Sequence, residues 1–317
     1  MLGGLTLCFY NFIFYGGSKM KRIIIVSLVV VLGLVGLSHA ALTTDSDLTF
    51  VATYNNGLNA DYAAGNGTAT VTHGSGPDVG LSAAGTGAFT SSTPNTALTQ
   101  TVGYNHSSIV NTGESVRYQA QGNMSLQAGT FVAWTKAAPF NTERMFTPAE
   151  GMIFAENGHW SSGNSITMYD QYYYSYKRDY LLQGSDAYGN MFYVNAMPTA
   201  ETFDNWVFVA GSWNLSESGQ LDLNIWVRPV GQASFSKGTS SYSDMTFIDL
   251  DEYAPLNIGS DYWGSRIYGG LIDDAQVYNR ALSDNEVDAI FSSGLEVIPE
   301  PATLALLSLG LLLARKK

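Results

Sequence analysis

Cysteine is all but missing. The chain has 317 residues and one cysteine, Cys8, so no intrachain disulfide can brace a fold and no thiolate cluster can hold a metal. Cations are scarce as well: 15 Lys and Arg stand against 27 Asp and Glu, a net charge of −12. Such a surface repels a phosphate backbone, which excludes nucleic acid as a partner and suits neutral ligands or divalent cations instead. His73, His106 and His159 have no Ser or Cys at a spacing that suggests nucleophilic catalysis, and read as solvated loop residues. No glycine motif of the kind that cradles phosphate is present, because the glycines here interrupt strand-like runs.

What is abundant between residues 41 and 280 is Gly, Ser, Thr, Asn and aromatics, a vocabulary of strands and turns. Residues 221–228 read LDLNIWVR, with apolar residues at odd positions and polar ones at even positions apart from Trp226, which predicts a half-buried strand. Residues 206–210 form a nearly continuous apolar run, as a strand covered on both faces would. Further strands are predicted at 48–54, 115–119, 129–136, 151–155, 165–169, 190–194 and 270–279. Short strands separated by Gly and Asn turns predict an all-β antiparallel sandwich or jelly roll. One helix is expected near 283–292: Ser283, Asp284, Asn285 and Glu286 form a capping box, Val287, Ile290 and Phe291 share one face, and Gly294 is the stop.

The two ends differ from this middle. Lys21 and Arg22 precede a mostly apolar stretch, 23–37, and Ser38-His39-Ala40 closes on the small residues that a signal peptidase needs, so residues 20–40 read as a signal peptide cleaved before Ala41. Residues 1–19 precede that pattern either as a start-site overcall, with Met20 as the true start, or as an unusually long leader. Cys8 lies among them, so residues 41–298 must be stabilised by an ordinary core, for which their length is ample. Six of the 15 Lys and Arg but one of the 27 Asp and Glu fall in the two ends, so the middle is more acidic than the whole.

The chain closes with VIPEPATLALLSLGLLLARKK. The apolar run 302–314 would reach about 20 Å as a helix, short of the ~30 Å of a bilayer core. Pro299 and Pro301, on either side of Glu300, break any helical continuity with what precedes. The order Pro-Glu-Pro, apolar run, Arg315-Lys316-Lys317 resembles the PEP-CTERM sorting signal, here placed at 297–317. That resemblance implies export in a Gram-negative-type bacterium, transient inner-membrane contact through the tail, cleavage by an exosortase near 299–301, and release or attachment at the cell surface. A tail anchor is the competing reading.

Asn257-Ile258-Gly259, Gly264-Ser265-Arg266 and the run GGLIDDAQVYNRALS from Gly269 to Ser283 resemble the closing strands of laminin-G-like, concanavalin A-like jelly-roll domains, with looser agreement at 130–134 and 205–213. The likeness implies one such domain over 41–296. Many laminin-G-like domains hold calcium through an acid of the closing strand and oxygens near the first strand. The matching residues are Asp274, or its neighbour Asp273, with Asn59 and Asp61. Adjacent strand residues point to opposite faces, so one of the two aspartates is expected to aim into such a site. Calcium takes six to eight oxygens. Asn55 or Asn56 stands where the family often has an acid, which lowers the expected affinity. The alternative role for Asp274 is to cap loop amides.

Tyr172, Tyr174 and Tyr176, with Trp226 expected to be exposed and Trp160 or Trp263 in loops, offer flat apolar faces on which a sugar can stack. Ordinary cross-strand aromatic pairing is the competing explanation. Retaining glucanases of the same fold need carboxylates on one strand face about 5 Å apart. The nearest segment here is FIDLDE, and the nucleophile's position is Phe247. The expectation is a non-catalytic surface or matrix protein that binds an exopolysaccharide, another glycan or a surface partner, with structural calcium. The alternatives are a purely structural matrix component and a divergent glycoside hydrolase. Four N-glycosylation triplets, at Asn66, Asn105, Asn123 and Asn214, read as chance matches in a bacterial chain.

Overall fold

The computed structural model describes residues 46–54, 57–72, 79–83, 96–100, 115–137, 150–156, 163–173, 177–198, 205–250, 252–259, 268 and 270–293. The chain divides into 1–43, outside the described residues, and 44–317, which contains all of them. The expected signal peptide and the tail with Pro299, Glu300, Pro301, Arg315, Lys316 and Lys317 lie outside them too. Among the described residues no helix is long and apolar enough to cross a membrane.

The strands in chain order are β1 (Leu48–Ala52), β2 (Tyr62–Ala63), β3 (Thr70–Thr72), β4 (Val79–Ala83), β5 (Thr96–Gln100), β6 (Ser115–Gln119), β7 (Ala128–Ala137), β8 (Glu150–Glu156) and β9 (Ser165–Tyr173). They continue with β10 (Lys177–Ser185), β11 (Met191–Ala196), β12 (Trp206–Leu215), β13 (Leu221–Pro229), β14 (Ser236–Tyr242), β15 (Pro255–Ile258) and β16 (Gly270–Tyr278), and a helix, α1 (Asp284–Ser293), follows. All strand pairs are antiparallel. One sheet runs β14-β13-β12-β7-β16-β1-β2, with β5 also paired to β16 and β4 to β5. The other runs β11-β10-β9-β8-β15-β6-β3. The neighbours β1 and β16, and β6 and β15, are far apart in sequence, which is jelly-roll connectivity.

Period-two alternation builds the core between the sheets. Val207, Val209 and Trp213 of β12, Leu221, Leu223, Ile225 and Val227 of β13, and Phe131 of β7 face Ile166, Met168, Tyr180, Leu182, Phe192 and Leu256 of the other sheet. Phe131 stacks on Phe154 at 4.6 Å and meets Trp213 at 4.8 Å. Trp213 lies across from Gly129, where a Cβ would come within 2.2 Å of the indole ring, so the small residue on β7 makes room for the large one on β12. The indole N–H donates to the Ser125 carbonyl at 3.1 Å.

A second core lies on the far face of the larger sheet. Val132, Trp134, Trp206, Phe208 and Trp226 are covered there by Val287 and Ile290 of α1. The run at 206–210 is buried on both faces, as expected, because the helix supplies the second cover. Glu286 accepts the Ser283 N–H at 2.7 Å, as a capping box requires; the Ser283 hydroxyl donates to the same carboxylate. Arg280 ties the helix start to the sandwich, 2.7 Å from Asp47 and 2.8 Å from Glu286.

One expectation fails on this face. Trp226, placed by alternation on the exposed side of β13, is 2% exposed. Its indole N–H donates to Asp284 of α1 at 2.9 Å, and the Lys237 ammonium lies 5.0 Å from its ring. The outer side of β13 is half solvent and half helix seat: Asp222 is exposed, and Trp226, four residues on, is under α1.

Candidate functional site

The closing strand carries an irregularity where the acids sit. Ile272 and Ala275 both reach the core although they are three residues apart, and the pairing of β16 with β7 shifts register between Asp273 and Gln276. A bulge therefore absorbs one residue. Asp274 takes up the bend with φ of 48°. The strand no longer sends the two aspartates to opposite faces with one in water: both are buried, against the expectation that only one turns inward.

Asp61 joins them electrostatically. Burial, then the neighbouring Asp274 charge, pushes Asp273 up to about 9; the Asp274 N–H, which donates to Asp273 at 2.8 Å, pulls the other way, and Asp61 adds to the rise. Burial, then Asp61, pushes Asp274 up to about 7. Asp61 itself accepts the Thr53 N–H at 2.8 Å and the Thr53 hydroxyl at 2.6 Å.

Tyr54 leaves β1 beside this bulge, since Ala52 is paired with Ala275. It has a left-handed φ of 56°, a conformation that costs a bulky residue free energy. Burial, then Tyr118, then Asp273 and Asp61 hold its hydroxyl well above the usual tyrosine range. The Tyr118 hydroxyl donates to the Leu58 carbonyl at 2.5 Å. Two non-glycine residues in left-handed backbone, Tyr54 and Asp274, thus stand beside the paired Ala52 and Ala275.

As donors for a hard cation, the oxygens of Asp61, Asp273 and Asp274 are chemically apt, and a divalent ion would relieve two buried, mutually repelling carboxylates. Asn59 is drawn elsewhere: its side-chain oxygen accepts the Ala69 N–H at 2.9 Å, holding the loop. Among the described residues no three Asp, Glu, His or Cys side chains converge closely enough to hold a metal by themselves. A cation here needs backbone or water oxygens in addition.

Most of the aromatic residues expected to form a platform, Trp160 among them, lie outside the described residues. Trp226 is under α1, Tyr174, Tyr176 and Trp263 lie outside the described residues, and Tyr172 is placed by register alone, opposite Arg178 on the β9–β10 hairpin. Exposed aromatic surface occurs instead on the next hairpin. Tyr188 is 79% exposed in the β10–β11 turn, and Met191 and Tyr193 of β11 are 51% and 56% exposed. In the sequence MFYVNA both faces of β11 carry large apolar residues, so alternation alone does not tell Phe192, which is buried, from Tyr193.

Phe247, at the position where a glucanase-like reading needs a carboxylate, is a core residue whose ring meets Phe192 edge-on at 5.6 Å. Residues 245–250 form no strand, so Asp249 does not share a strand face with it. Asn123 is fully buried: its amide donates to the carbonyls of Asn66 and Gln119, and its oxygen accepts the Gly65 N–H.

Residues 110–288, more than half of the chain, match the Laminin_G_3 family, described as the concanavalin A-like lectin/glucanases superfamily. Among solved structures, the enzymatically active domain of tailspike protein 2 from bacteriophage CBA120 matches with a TM-score of 0.51 and 12% identity, over 79% of this chain and 34% of that one. The chain spans a quarter of the length of the full-length tailspike protein 2. A CBM40 of the Ruminococcus gnavus IT-sialidase, bound to α2,3-sialyllactose, matches with a TM-score of 0.36 and 20% identity, over 53% of this chain and 83% of that one. The exoplasmic/lumenal domain of VIP36 in its Ca2+/Man-bound form gives a TM-score of 0.34 and 8% identity, over 59% and 79%. No curated protein matches the chain. The tailspike likeness, at this identity, speaks to fold alone. With two antiparallel sheets, a jelly-roll strand order and a family match over its closing strands, the chain belongs to the concanavalin A-like lectin/glucanases superfamily.

Proposed function

We propose that this protein is an exported, non-catalytic surface or matrix component whose jelly-roll domain binds a glycan. Its residue 20–40 segment directs it to signal peptidase and its 297–317 tail to an exosortase, which leaves it at the cell surface or in the extracellular matrix. The observation that carries the non-catalytic part is Phe247: where the resemblance to retaining glucanases requires a carboxylate, a phenyl ring is built into the core. The lectin/glucanases family membership supports the choice of a glycan over a nucleic acid or an acidic partner, and the net charge of −12 agrees with it.

A structural calcium ion belongs to the same reading. Asp274 or its neighbour Asp273, with Asp61 and with backbone or water oxygens completing the set, would hold it, and the ion would offset the charge of the buried carboxylates of the bulge. The test of the binding reading is a glycan array probed with the purified protein, with and without calcium. Silence across neutral and anionic glycans alike would leave the purely structural role. Mass spectrometry of the protein from its native host tests the processing: an intact Arg315-Lys316-Lys317 end overturns exosortase cleavage.

A further inference from the structure

Six large apolar side chains are strongly exposed among the described residues, and four of them, Tyr188, Met191, Tyr193 and Met197, fall within ten residues on and just after one hairpin. Such clustering calls for a partner, since singly scattered apolar residues need none. The hairpin that carries them is rigid. The buried Asp186 carboxylate accepts the N–H groups of Tyr188 at 2.9 Å and Asn190 at 2.8 Å, the Asn190 amide at 3.0 Å and the Thr246 N–H at 3.2 Å. Tyr188 is therefore presented from a fixed turn, and little conformational entropy is lost when something stacks on it.

The chemistry of the surroundings selects the partner. β11 is the outer strand of its sheet, and a sheet edge is ordinarily a site for strand addition by a peptide. Here both outward backbone groups of Tyr193 are engaged by the Tyr242 hydroxyl, at 3.1 Å and 2.8 Å. Strand addition at the middle of β11 is closed. On the outer face Asn195 is exposed two residues on from Tyr193, and Met191 lies ~7 Å from Tyr193 along the strand. No Lys or Arg occurs between Arg178 and Arg228 or between Lys237 and Arg266, while Asp244 and Asp249 follow Tyr242. An anionic polymer meets no counter-charge in these stretches. Tyrosine faces beside the neutral amide of Asn195 on a rigid ledge suit the C–H face and hydroxyls of an uncharged sugar.

We infer that Tyr188 and Tyr193, with Met191 between them, form a stacking platform for a neutral polysaccharide on the β10–β11 hairpin. The inference rests on the glycan-binding reading above and specifies where and what the domain binds. Affinity electrophoresis of the full chain tests it, in gels containing laminarin, hydroxyethyl cellulose or galactomannan, with alginate as the anionic counterpart. The expected result is retardation in at least one neutral gel and none in alginate. The Tyr188→Ala/Tyr193→Ala double variant weakens that retardation at least tenfold, and Tyr253→Ala, a tyrosine as exposed as Tyr188 but away from the hairpin, leaves it unchanged. Circular dichroism of the double variant checks that it is folded, and Tyr188→Phe/Tyr193→Phe retains binding because the ring faces persist. Undiminished retardation of the alanine variant overturns the platform while leaving glycan binding in place. Retardation by alginate alone overturns the neutral specificity and the platform with it. No retardation in any gel overturns both the platform and the binding reading. A dimer lost only in the alanine variant assigns the patch to self-association instead.

Discussion

The Tyr242 hydroxyl accepts the N–H of Tyr193 at 3.1 Å and donates to the carbonyl of the same residue at 2.8 Å. A side chain from the edge strand of one sheet thus occupies the outward hydrogen-bonding groups of the edge strand of the other. Nearby, a Cβ at Gly238 would lie 2.0 Å from the Asn195 carbonyl oxygen, so only glycine lets β14 pass this close to β11. The two edges close on each other.

Replacing Tyr242 by Phe removes both bonds and keeps the ring. The freed groups are near solvent, so the stability loss is expected to be small, about 1 kcal/mol. The larger effect is on association, because an opened strand edge is a template for pairing. Concentration-dependent dimers or oligomers in light scattering are the expected outcome; a strictly monomeric variant at high concentration means that the phenol is not what closes the edge.

The buried acids set a pH dependence. Asp273 and Asp274 have folded-state values of about 9 and about 7, above their ordinary value in the unfolded chain. The folded protein then binds more protons than the unfolded one across this range, and stability falls as pH rises. In the presence of a chelator, the midpoint of urea unfolding is expected to drop from pH 5 to pH 9, with most of the loss complete by about pH 9. Calcium, if it binds, removes the drop by favouring the ionised pair. Asp273→Asn/Asp274→Asn flattens the profile in chelator; an unflattened profile places its origin elsewhere.

Trp226 distinguishes a helix seat from an open sugar platform. Truncation to Ala is expected to cost about 3–5 kcal/mol, as for a large buried aromatic, whereas an exposed platform residue would cost little. Trp226→Phe keeps most of the apolar volume and loses the bond to Asp284, at about 1 kcal/mol. Lys237 lies 2.6 Å from Asp284 in a partly exposed pair, and its hydrogen bond is the main cause holding the Asp284 carboxyl below its usual range. Salt weakens that contact but not the burial. Equilibrium denaturation of the two variants measures the difference.

Asn123 fastens the loop after β1 to the β6–β7 connection. Asn123→Ala leaves the Gly65 N–H and the carbonyls of Asn66 and Gln119 short of a partner, a loss of about 1–3 kcal/mol. Proteolysis in the 57–69 segment should accelerate. Its triplet is also closed to a modifying enzyme in the folded state, so peptide mapping should find Asn123 unmodified.

Much of the fold was legible in period-two patterning. The strands at 115–119, 206–210 and 221–228 are where their apolar residues put them, and the capping box at Ser283 does start the helix. Strands that lack such a signal escape it: β14 reads SKGTSSY, is exposed on alternate positions and is held by pairing to β13, and β15, touched only through the family resemblance at Asn257-Ile258-Gly259, is four residues whose burial comes from neighbours distant in sequence. The candidate site divides the same way. Asp61 and Asp274 could be named from their resemblance to a family pattern, but a bulge, which no local propensity announces, decides that Asp273 and Asp274 are both buried.

The amino-acid order alone determined that this is an acidic, all-β protein with a single cysteine and a short capped helix, because turn residues and alternation are local properties of the chain. Tertiary structure decided which aromatic faces meet water. Trp226 and Tyr193 each stand on the outer face of a strand; the first is covered by a helix that begins 58 residues later, and the second is left open on an edge sealed by Tyr242. The period of a strand says which side a residue takes, and only the packing of distant segments says what lies on that side.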